Sequence, residues 1–545
     1  MNAPLSLAAT LLLYYTPTPA VALTPLETEI SAANGNQTTL RTQLAPSWST
    51  TSPVRSTSDL LWTSIVTLFL CVYTVIHVNI PPPDESRRKF YGRKCLWALV
   101  AILAPEYALC TAYHQWDAAR RLQHEMNEFV DKPERPATSL SWTNRFYTAI
   151  GGLPKKQTAP NSPLSMTYCF YVVMGGFSVD IGSLHNDLKY ITITPAGLIF
   201  LAKHGHFIKL PEKDIQDKSK ADVIAKGLVC VQVAWLIIQS VGRAANSLPI
   251  ALLEIHVLAH VAYALMLYGI WFKKPLDVQE PTIVDSSMFG NELALMLVLS
   301  LGIEEIRAFN SHLREIQAVE TSPREFRLQT IEPSPKRNIR WENASKAIEK
   351  SIELDSSIIG YNGFQLLTRD EDLELLSLRA KDVQAIGFVG ARSGFFKLRQ
   401  LHRGFGHYTL VVGAMIFLTA AYAGIHAAAW RYHFPTETEM RLWRGSSILI
   451  ASIVPVTLFL MLIFFIVALA IGVFMKHTFD VSTAIKKMKG MGSFGDLGIL
   501  FFISSGTLLH FSARLFLFIE AFISVRQMPI GVFVTVQWSD YIPHL

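Results

Sequence analysis

Two long apolar runs joined by a short polar break constrain this chain more than any other feature. The runs cover residues 227–241 and 248–272, the letters GRAANS stand between them, and charged residues flank both outer ends. A helix of about 20 apolar residues crosses the hydrocarbon core of a bilayer and satisfies its own backbone hydrogen bonds there. This segment therefore predicts a transmembrane helical hairpin.

The composition of the whole chain agrees with a membrane protein. Half of the 545 residues are hydrophobic, 17% are charged, and the mean hydropathy is +0.29. Further apolar runs predict an all-α membrane protein, a helical bundle of about seven to nine transmembrane helices with a hydrophilic cytosolic insert. The net charge of +6 is modest and no dense basic block occurs. The expected partners are the lipid bilayer and a hydrophobic small molecule, and no nucleic acid is expected.

Hydropathy and composition divide the chain into five segments. We interpret them as a signal peptide, a disordered luminal segment, a first membrane-helix region, a hydrophilic cytosolic insert and a second membrane-helix region, at residues 1–22, 23–58, 59–303, 304–405 and 406–545. Basic residues follow the first apolar run and favour a cytosolic loop there, which agrees with a luminal N-terminus. Asn36, in the sequon Asn-Gln-Thr, is then a predicted glycosylation site. These features predict a multi-pass protein of the endoplasmic reticulum or plasma membrane.

Three apolar runs are harder to interpret as complete spans. The run 95–116 contains Pro105, which predicts a kink or an interruption. The run 166–181 is short and holds two adjacent glycines, and we favour it as a crossing because the charges before the hairpin then lie in the cytosol. The run 288–303 is short and ends near two glutamates, so both a span and a packed helix are open.

Ionisable residues inside apolar runs are expected to have a structural or functional role, because a charged side chain at the centre of a bilayer costs at least ~2.5 kcal/mol. Among the carboxylates we take two as candidate catalytic residues: Glu106 and Glu254. Four others form two pairs with the spacing i, i+4, so that each pair shares one helix face. These candidate ligand-binding residues are His256, His260, His510 and Arg514.

The pair His256 and His260 suits either a proton relay or one metal ion. Glu254 lies about 200° around the helix from His256 and is not a natural third ligand. The five cysteines show no CxxC or Cys/His ligand spacing, so neither a metal site nor a cofactor is predicted. Buried polar residues also serve as hydrogen bonds between membrane helices, so a purely structural network is the alternative to a functional cavity.

Several blocks of the sequence carry a resemblance to a protein family. They are LLWTSIVTLFLCVYTVIHVNIPPP, ILAPEYALCTAYHQW, DKSKADVIAKGLVCVQVAWLIIQ, WFKKPLD and the final stretch 513–545. Together they are similar to a group of uncharacterised integral membrane proteins of filamentous fungi, over most of the chain. The resemblance implies a fungal endomembrane or plasma-membrane protein, associated with secondary metabolism, and it supplies no catalytic residues.

Three functions are consistent with these observations. A transporter-like or accessory membrane factor is favoured by the scattered membrane charges and the absence of a catalytic signature. An intramembrane enzyme, such as an acid-catalysed cyclase or isomerase of a lipid or terpenoid, needs little more than one buried carboxylic acid, which Glu106 or Glu254 could supply. A membrane ligand sensor is the third hypothesis.

Overall fold

We describe the protein from a computed structural model. The description covers residues 24–46, 48–49, 54–83, 85–131, 164–219, 223–300, 308–309, 335–354, 377–379, 405–478 and 504–536. The predicted signal peptide, residues 1–22, lies outside these ranges, as does most of the predicted insert. The described chain is mostly helical.

The helices are numbered here in chain order. They are α1 (Pro25–Ala33), α2 (Gln37–Thr42), α3 (Thr57–Val75), α4 (Arg87–Leu103), α5 (Pro105–Asp131), α6 (Met166–Val173), α7 (Pro195–Lys203), α8 (Glu212–Lys218), α9 (Val223–Ala245), α10 (Leu252–Ile270), α11 (Glu292–Ser300), α12 (Pro335–Leu354), α13 (Phe405–Ala427), α14 (Glu437–Thr478) and α15 (Ser504–Arg526). Short 3-10 turns lie at Ser286–Phe289 and Ile530–Phe533. The predicted hairpin corresponds to α9 and α10; α10 is long and apolar enough for a span, whereas the apolar part of α9, Val229–Ala245, is shorter.

Four helices in the described part are long and apolar enough to cross a membrane. The qualifying segments are Thr57–Thr74, Leu252–Ile270, Glu437–Leu460 and Ser504–Arg526. A fifth is counted if α4 and the first part of α5 form one broken span, since they are bent by 115°. The seven to nine spans predicted from the sequence are therefore not confirmed, and two short apolar runs contribute to the difference.

Within the described residues, neither short run forms a span. In the run 166–181, α6 ends after eight residues because Gly175 adopts the left-handed φ of +89°, and a strand follows. In the run 288–303, α11 has nine residues, and its side chains from Leu293 to Val298 are buried within the protein. Burial inside a protein and exposure to lipid both require apolar residues, so hydropathy does not distinguish them.

The chain divides into two compact units, each discontinuous in sequence. Unit 1 comprises Met1–Phe69, Cys230–Val261 and Thr419–Leu545. Unit 2 comprises Leu70–Val229 and Ala262–Leu418. Each unit is described separately below.

The described part of the segment 23–58, for which the composition favoured disorder, includes the helices α1 and α2 of unit 1. Thr24 and Glu27 form a capping box at the start of α1, and Asn36 caps α2. The backbone then pairs with the C-terminal part of the unit: the Ala45 amide donates to the Met528 carbonyl at 2.8 Å, and the Ile530 amide donates to the Gln43 carbonyl at 2.9 Å. These pairings, which are distant in sequence, offset the lack of apolar side chains.

Unit 2 contains a small sheet that the all-α prediction missed. The strands are β1 (Phe177–Asp180), β2 (Tyr190–Ile193), β3 (Thr282–Val284) and β4 (Ser377–Arg379), in the order β3-β1-β2-β4. β1 pairs antiparallel with β2 and parallel with β3, and β2 pairs antiparallel with β4. Strands of three or four residues are too short for their alternation to stand out in the sequence.

Substituting Gly176 by alanine is expected to destabilise unit 2. A Cβ atom at this position would lie 2.2 Å from Cδ1 of Tyr171 and 2.6 Å from the Tyr171 carbonyl oxygen, and the Tyr171 side chain is fully buried. Overpacking of this kind costs about 1–3 kcal/mol. Heating the detergent-solubilised protein and measuring the remaining monodisperse fraction checks the loss. Gly92→Ala, in open space on α4, is the matched control and should not lower stability; equal melting of both variants would contradict the prediction.

The part of the predicted hydrophilic insert that is described belongs to unit 2. Trp341, Ala344 and Ala347 are buried on one face of α12, which packs against α11. Lys336 donates to the Gly182 carbonyl at 2.7 Å, and Arg340 donates to the Leu184 carbonyl at 2.7 Å. The i, i+3 spacing of these three apolar residues makes α12 a packing element of unit 2.

The interruption predicted at Pro105 is present. α4 ends at Leu103, Ala104 is not helical, and α5 begins at Pro105 in a new direction. Proline at the first position of a helix loses no hydrogen bond and clashes with no preceding turn, so the break occurs at this residue. A similar effect ends α3 at Val75: residues 76–80, before three prolines, are not helical, and the Ile80 amide donates to the Met174 carbonyl at 2.9 Å.

Candidate functional site

Three buried histidines of unit 1 form a continuous hydrogen-bonded chain, which we call the histidine chain. It consists of His260, His256 and His426. Nε2 of His260 lies 3.2 Å from Nε2 of His256, and Nδ1 of His256 lies 3.0 Å from Nε2 of His426. All three rings are at most 3% exposed to solvent. The spacing i, i+4 brings the first two together on α10, and the third comes from α13.

The hydrogen-bond partner at one end assigns the tautomer of every ring. Nδ1 of His426 lies 2.9 Å from the Tyr422 carbonyl oxygen, which can only accept, so this nitrogen carries a proton. In the neutral ring Nε2 of His426 is then an acceptor, and Nδ1 of His256 must donate to it. By the same argument Nε2 of His260 donates to Nε2 of His256. All the N–H bonds therefore point in one direction, and Nδ1 of His260 is the acceptor at the open end.

An arginine and a fourth histidine adjoin this chain. Nε of Arg514 donates to Nε2 of His510 at 2.9 Å, so the i, i+4 pair predicted on the last helix is in contact. The Arg514 guanidinium carbon lies 4.0 Å from the ring centroid of Tyr422. The Tyr422 ring in turn stands 5.8 Å from the His260 ring and 4.4 Å from the His426 ring. The four predicted ligand-binding residues therefore belong to one cluster.

The cluster joins side chains from four helices. Nε1 of Trp443, on α14, donates to the His426 carbonyl at 3.0 Å, and the two rings are 5.6 Å apart. Phe518, on α15, packs edge-on against His256 at 5.6 Å. A polar network of this kind stabilises helix packing where no water competes for the hydrogen bonds. It also provides titratable groups inside an apolar surrounding, which is a signature of function.

The histidine chain does not have the geometry of a metal site. One ion would need nitrogen atoms that converge on it, whereas His256 uses its two ring nitrogens in opposite directions toward two different neighbours. Within the described ranges, no group of three or more His, Cys, Asp or Glu side chains could hold a metal ion. Proton exchange is the chemistry that this arrangement allows.

Glu254 lies on the same helix but takes part in a different contact. One carboxylate oxygen is 2.5 Å from the Arg55 guanidinium, and the other accepts from the Ala251 amide at 3.1 Å. Its partner is Arg55, 199 positions away in the sequence. A buried carboxylate that is paired and placed in the first turn of a helix is held ionised for a structural reason. Its geometry does not suit a general acid.

Glu106 belongs to unit 2, where it is almost completely buried. It lies in the first turn of α5, directly after Pro105. A carboxylate at this position interacts favourably with the positive end of the helix dipole. Glu106 and Glu254, the two candidate catalytic residues, thus each lie in the first turn of a helix, although the two helices are different.

Three of the residues that build this site are not among the candidates selected from the sequence. His426 and Tyr422 are four residues apart on α13, and this spacing alone could have placed them on one face. Their contact with α10 depends on residues 170 positions apart, and no local pattern indicates it. Arg55 lies in the segment for which the composition favoured disorder.

The predicted glycosylation site is exposed. Asn36 precedes α2, and its side-chain oxygen accepts from the Thr38 and Thr39 amides at 3.0 and 3.3 Å. The cap uses only this oxygen atom, so the amide nitrogen to which a glycan is attached is not part of it.

A protein-family model matches residues 27–353 and 401–545, and its description is "Family of unknown function (DUF8562)". This match agrees with the resemblance to an uncharacterised family. No curated protein and no solved structure matches the chain.

Proposed function

The chain belongs to DUF8562, a family of unknown function, and we propose that it is a multi-pass membrane protein of the transporter type that takes up and releases protons at the histidine chain. The observation that carries the proposal is the uniform direction of the hydrogen bonds from His260 through His256 to the Tyr422 carbonyl. Histidines in contact inside membrane helices are the groups from which proton relays are built.

The relay works by transfer along existing hydrogen bonds. A proton binds Nδ1 of His260, the Nε2 proton of His260 moves to Nε2 of His256, and the Nδ1 proton of His256 moves to Nε2 of His426. His426 then carries a proton on both nitrogens and is the cation. The Tyr422 carbonyl cannot take this proton, so it is released by the same transfers in reverse, from Nδ1 of His260. Aromatic faces stabilise a cation, and His426 has the Tyr422 ring at 4.4 Å and the Trp443 ring at 5.6 Å.

The apolar surface of unit 1 supports a location in the bilayer. Along α14, large apolar side chains such as Val456, Phe459 and Leu462 are between 47% and 61% exposed. A continuous apolar surface of this kind is unusual on a monomer in water, whereas it is expected on a protein in contact with lipid. We place the protein in the endoplasmic reticulum or the plasma membrane, and the exposed Asn36 supports its glycosylation on a luminal side.

The enzyme alternative has less support. An acid-catalysed cyclase needs a carboxylic acid that is kept protonated, and Glu254 is instead bound to Arg55. Its role in an enzyme would also require a binding cavity around the carboxyl group, whereas one oxygen is used by Arg55 and the other by the Ala251 amide.

His256→Gln tests the relay. Glutamine can donate and accept hydrogen bonds at a similar size, but it cannot take a proton on one atom and release another. We expect proton uptake into liposomes that contain the full-length protein, driven by a potassium diffusion potential and followed with an internal pH dye, to fall by about 100-fold or to the leak rate of empty vesicles. Thermal stability should change much less.

His433→Gln is the matched control, since His433 belongs to unit 1 and is exposed. This variant should keep the flux of the natural protein. Absence of proton flux above the leak in the natural protein, or equal flux in the folded His256→Gln protein, would show that the histidine chain only holds helices together.

A further inference from the structure

The first turn of α4, in unit 2, presents three adjacent basic side chains to the outside of the protein. They are Arg87, Arg88 and Lys89, and all three are exposed. We call them the basic turn. None of them forms an ion pair with a carboxylate among the described residues. Three like charges within one helical turn repel one another, so a negatively charged partner would stabilise this turn.

The next two cations of α4 are already paired within unit 2. Arg93 pairs with Glu85 at 3.0 Å, and Lys94 pairs with Asp277 at 2.8 Å. Both of these basic side chains are more buried than those of the basic turn. Positive charge without a partner is therefore concentrated at the exposed start of the helix.

The basic turn lies near the ends of two helices that are long and apolar enough to cross a membrane, α3 and α10. Nζ of Lys94 stands 4.4 Å from the ring centroid of Tyr73, which belongs to the last turn of α3. The ion pair of Lys94 with Asp277 connects α4 to the segment that follows α10, where Lys273 is a further exposed cation. A surface at the ends of such helices lies at the depth of the lipid head groups.

Exposed aromatic side chains accompany these cations. Tyr73, Tyr91 and Phe272 are between 45% and 59% exposed. The Lys273 ammonium group lies 5.7 Å from the ring centroid of Phe272. Exposed aromatic rings beside basic residues at the ends of membrane helices are typical of the interface between lipid and water.

The exposed face of α4 changes from charged to apolar along the helix. At 100° and 1.5 Å per residue, Arg88, Tyr91 and Leu99 lie within about 80° of one another around the axis, with Tyr91 about 4.5 Å and Leu99 about 16.5 Å beyond Arg88. Leu99 and Leu96 are 52% and 44% exposed. A phospholipid has the same order of groups, from phosphate through glycerol to acyl chains. A soluble anion would match only the basic turn.

We propose that this surface binds an anionic phospholipid of the cytosolic leaflet, with the phosphate at Arg87 and Arg88 and the acyl chains along Leu96 and Leu99. The planar guanidinium group donates two parallel hydrogen bonds to phosphate oxygens, which makes arginine well suited to this head group. Basic residues beside a membrane helix favour the cytosolic side, and the anionic lipids of that leaflet attract them.

Binding of a fluorescent dioctanoyl phosphatidic acid to the full-length protein in a mild non-ionic detergent, followed by fluorescence anisotropy, tests the site. We expect saturable binding that unlabelled dioctanoyl phosphatidic acid displaces. Dioctanoyl phosphatidylcholine has the same chains and no net charge, and it should displace the probe at least tenfold less well. Inorganic phosphate has the charge and no chains, and it should also be at least tenfold weaker.

Two double variants connect the binding to the basic turn. Arg87→Gln combined with Arg88→Gln should weaken binding at least tenfold, since each basic residue near an anionic lipid surface contributes about fivefold in affinity. The control combines Arg431→Gln with Arg441→Gln, which removes the same charge from two exposed arginines of unit 1. The control protein should bind the probe like the natural protein. Size-exclusion chromatography checks that both variants are folded.

Any of five results would overturn the proposal. They are no saturable binding, equal displacement by phosphatidylcholine, equal displacement by inorganic phosphate, natural affinity in the folded Arg87→Gln and Arg88→Gln protein, and an equal loss of affinity in the control. The assay measures no proton flux and depends on unit 2, whereas the histidine chain belongs to unit 1. Failure of one proposal therefore does not decide the other.

Discussion

Replacing Arg243 by lysine is expected to prevent the protein from accumulating in a folded form. Arg243 is buried, and its guanidinium group donates four hydrogen bonds to three backbone carbonyls. The acceptors are Pro249, Gly531 and Val534, at distances from 2.7 to 3.1 Å. A single side chain thus connects the loop before α10 with the C-terminal part of unit 1.

Lysine keeps the charge but cannot reproduce this geometry, because its ammonium group is a point donor and the guanidinium is a planar fork. Carbonyls left without a donor in a buried position cost about 1–3 kcal/mol each. The cost of two or three such unpaired carbonyls is a large part of the free energy of unfolding of a typical domain, which is about 5–15 kcal/mol. The surroundings cannot readily adjust, since even a Cβ atom at Gly531 would lie 2.6 Å from the Leu40 carbonyl.

Size-exclusion chromatography of a fluorescent fusion, before and after heating, measures the effect. Arg243→Lys should give little or no monodisperse protein, or a melting temperature lowered by about 5–10 °C. Arg441→Lys is the control, because that arginine is 75% exposed and pairs with Glu437 within one helix, where such pairs contribute little. Normal accumulation and melting of Arg243→Lys would show that the four hydrogen bonds do not hold unit 1 together.

Glu254→Gln is the second substitution with a large expected effect. Its ion pair with Arg55 is 2.5 Å long, and the two side chains are 2% and 16% exposed. Removing one partner of a buried ion pair leaves the other charge without compensation. We expect a loss of about 2–4 kcal/mol, since Arg55 keeps some contact with solvent. The Ala251 amide still has an acceptor, because the glutamine side chain retains one oxygen.

A double variant separates the pair from the individual residues. Arg55→Met combined with Glu254→Gln removes both charges, and it should recover at least half of the lost stability. Proton flux per folded molecule should be unchanged in both variants. Full stability of Glu254→Gln together with loss of flux would instead identify Glu254 as a functional acid, which is the role that the enzyme hypothesis gave it.

The sequence predicted the contacts within single helices of this site, but not the contacts between segments that are distant in sequence. The i, i+4 spacing placed His256 beside His260 and His510 beside Arg514, and the structure has both pairs in hydrogen-bond contact. The same helix geometry indicated that Glu254 points away from His256. The partners could not be predicted, because Arg55 and His426 come from segments 199 and 170 residues distant in sequence from the residues that they contact.

The fold was anticipated in its helical character and in the break at Pro105. The predicted span count is not confirmed, since among the described residues α6 and α11 are short and are apolar because they are buried in protein. The small sheet was missed because its strands have only three or four residues and pair through distant segments. Composition alone favoured disorder near Arg55, where backbone pairing with residues 528–533 provides the order.

The fixed tautomers of the histidine chain imply that it can accept only one proton before its rings must return to their starting tautomers. When His426 has received a proton, the hydrogens of His256 and His260 have moved to the other ring nitrogen. Nδ1 of His260 then carries a hydrogen and cannot accept a second proton. Both rings must turn, or the proton must return, before another can follow. The histidine chain therefore carries one proton at a time, and substitutions that loosen the packing around Tyr422 and Phe518 would change the rate of ring rotation without altering a titratable group.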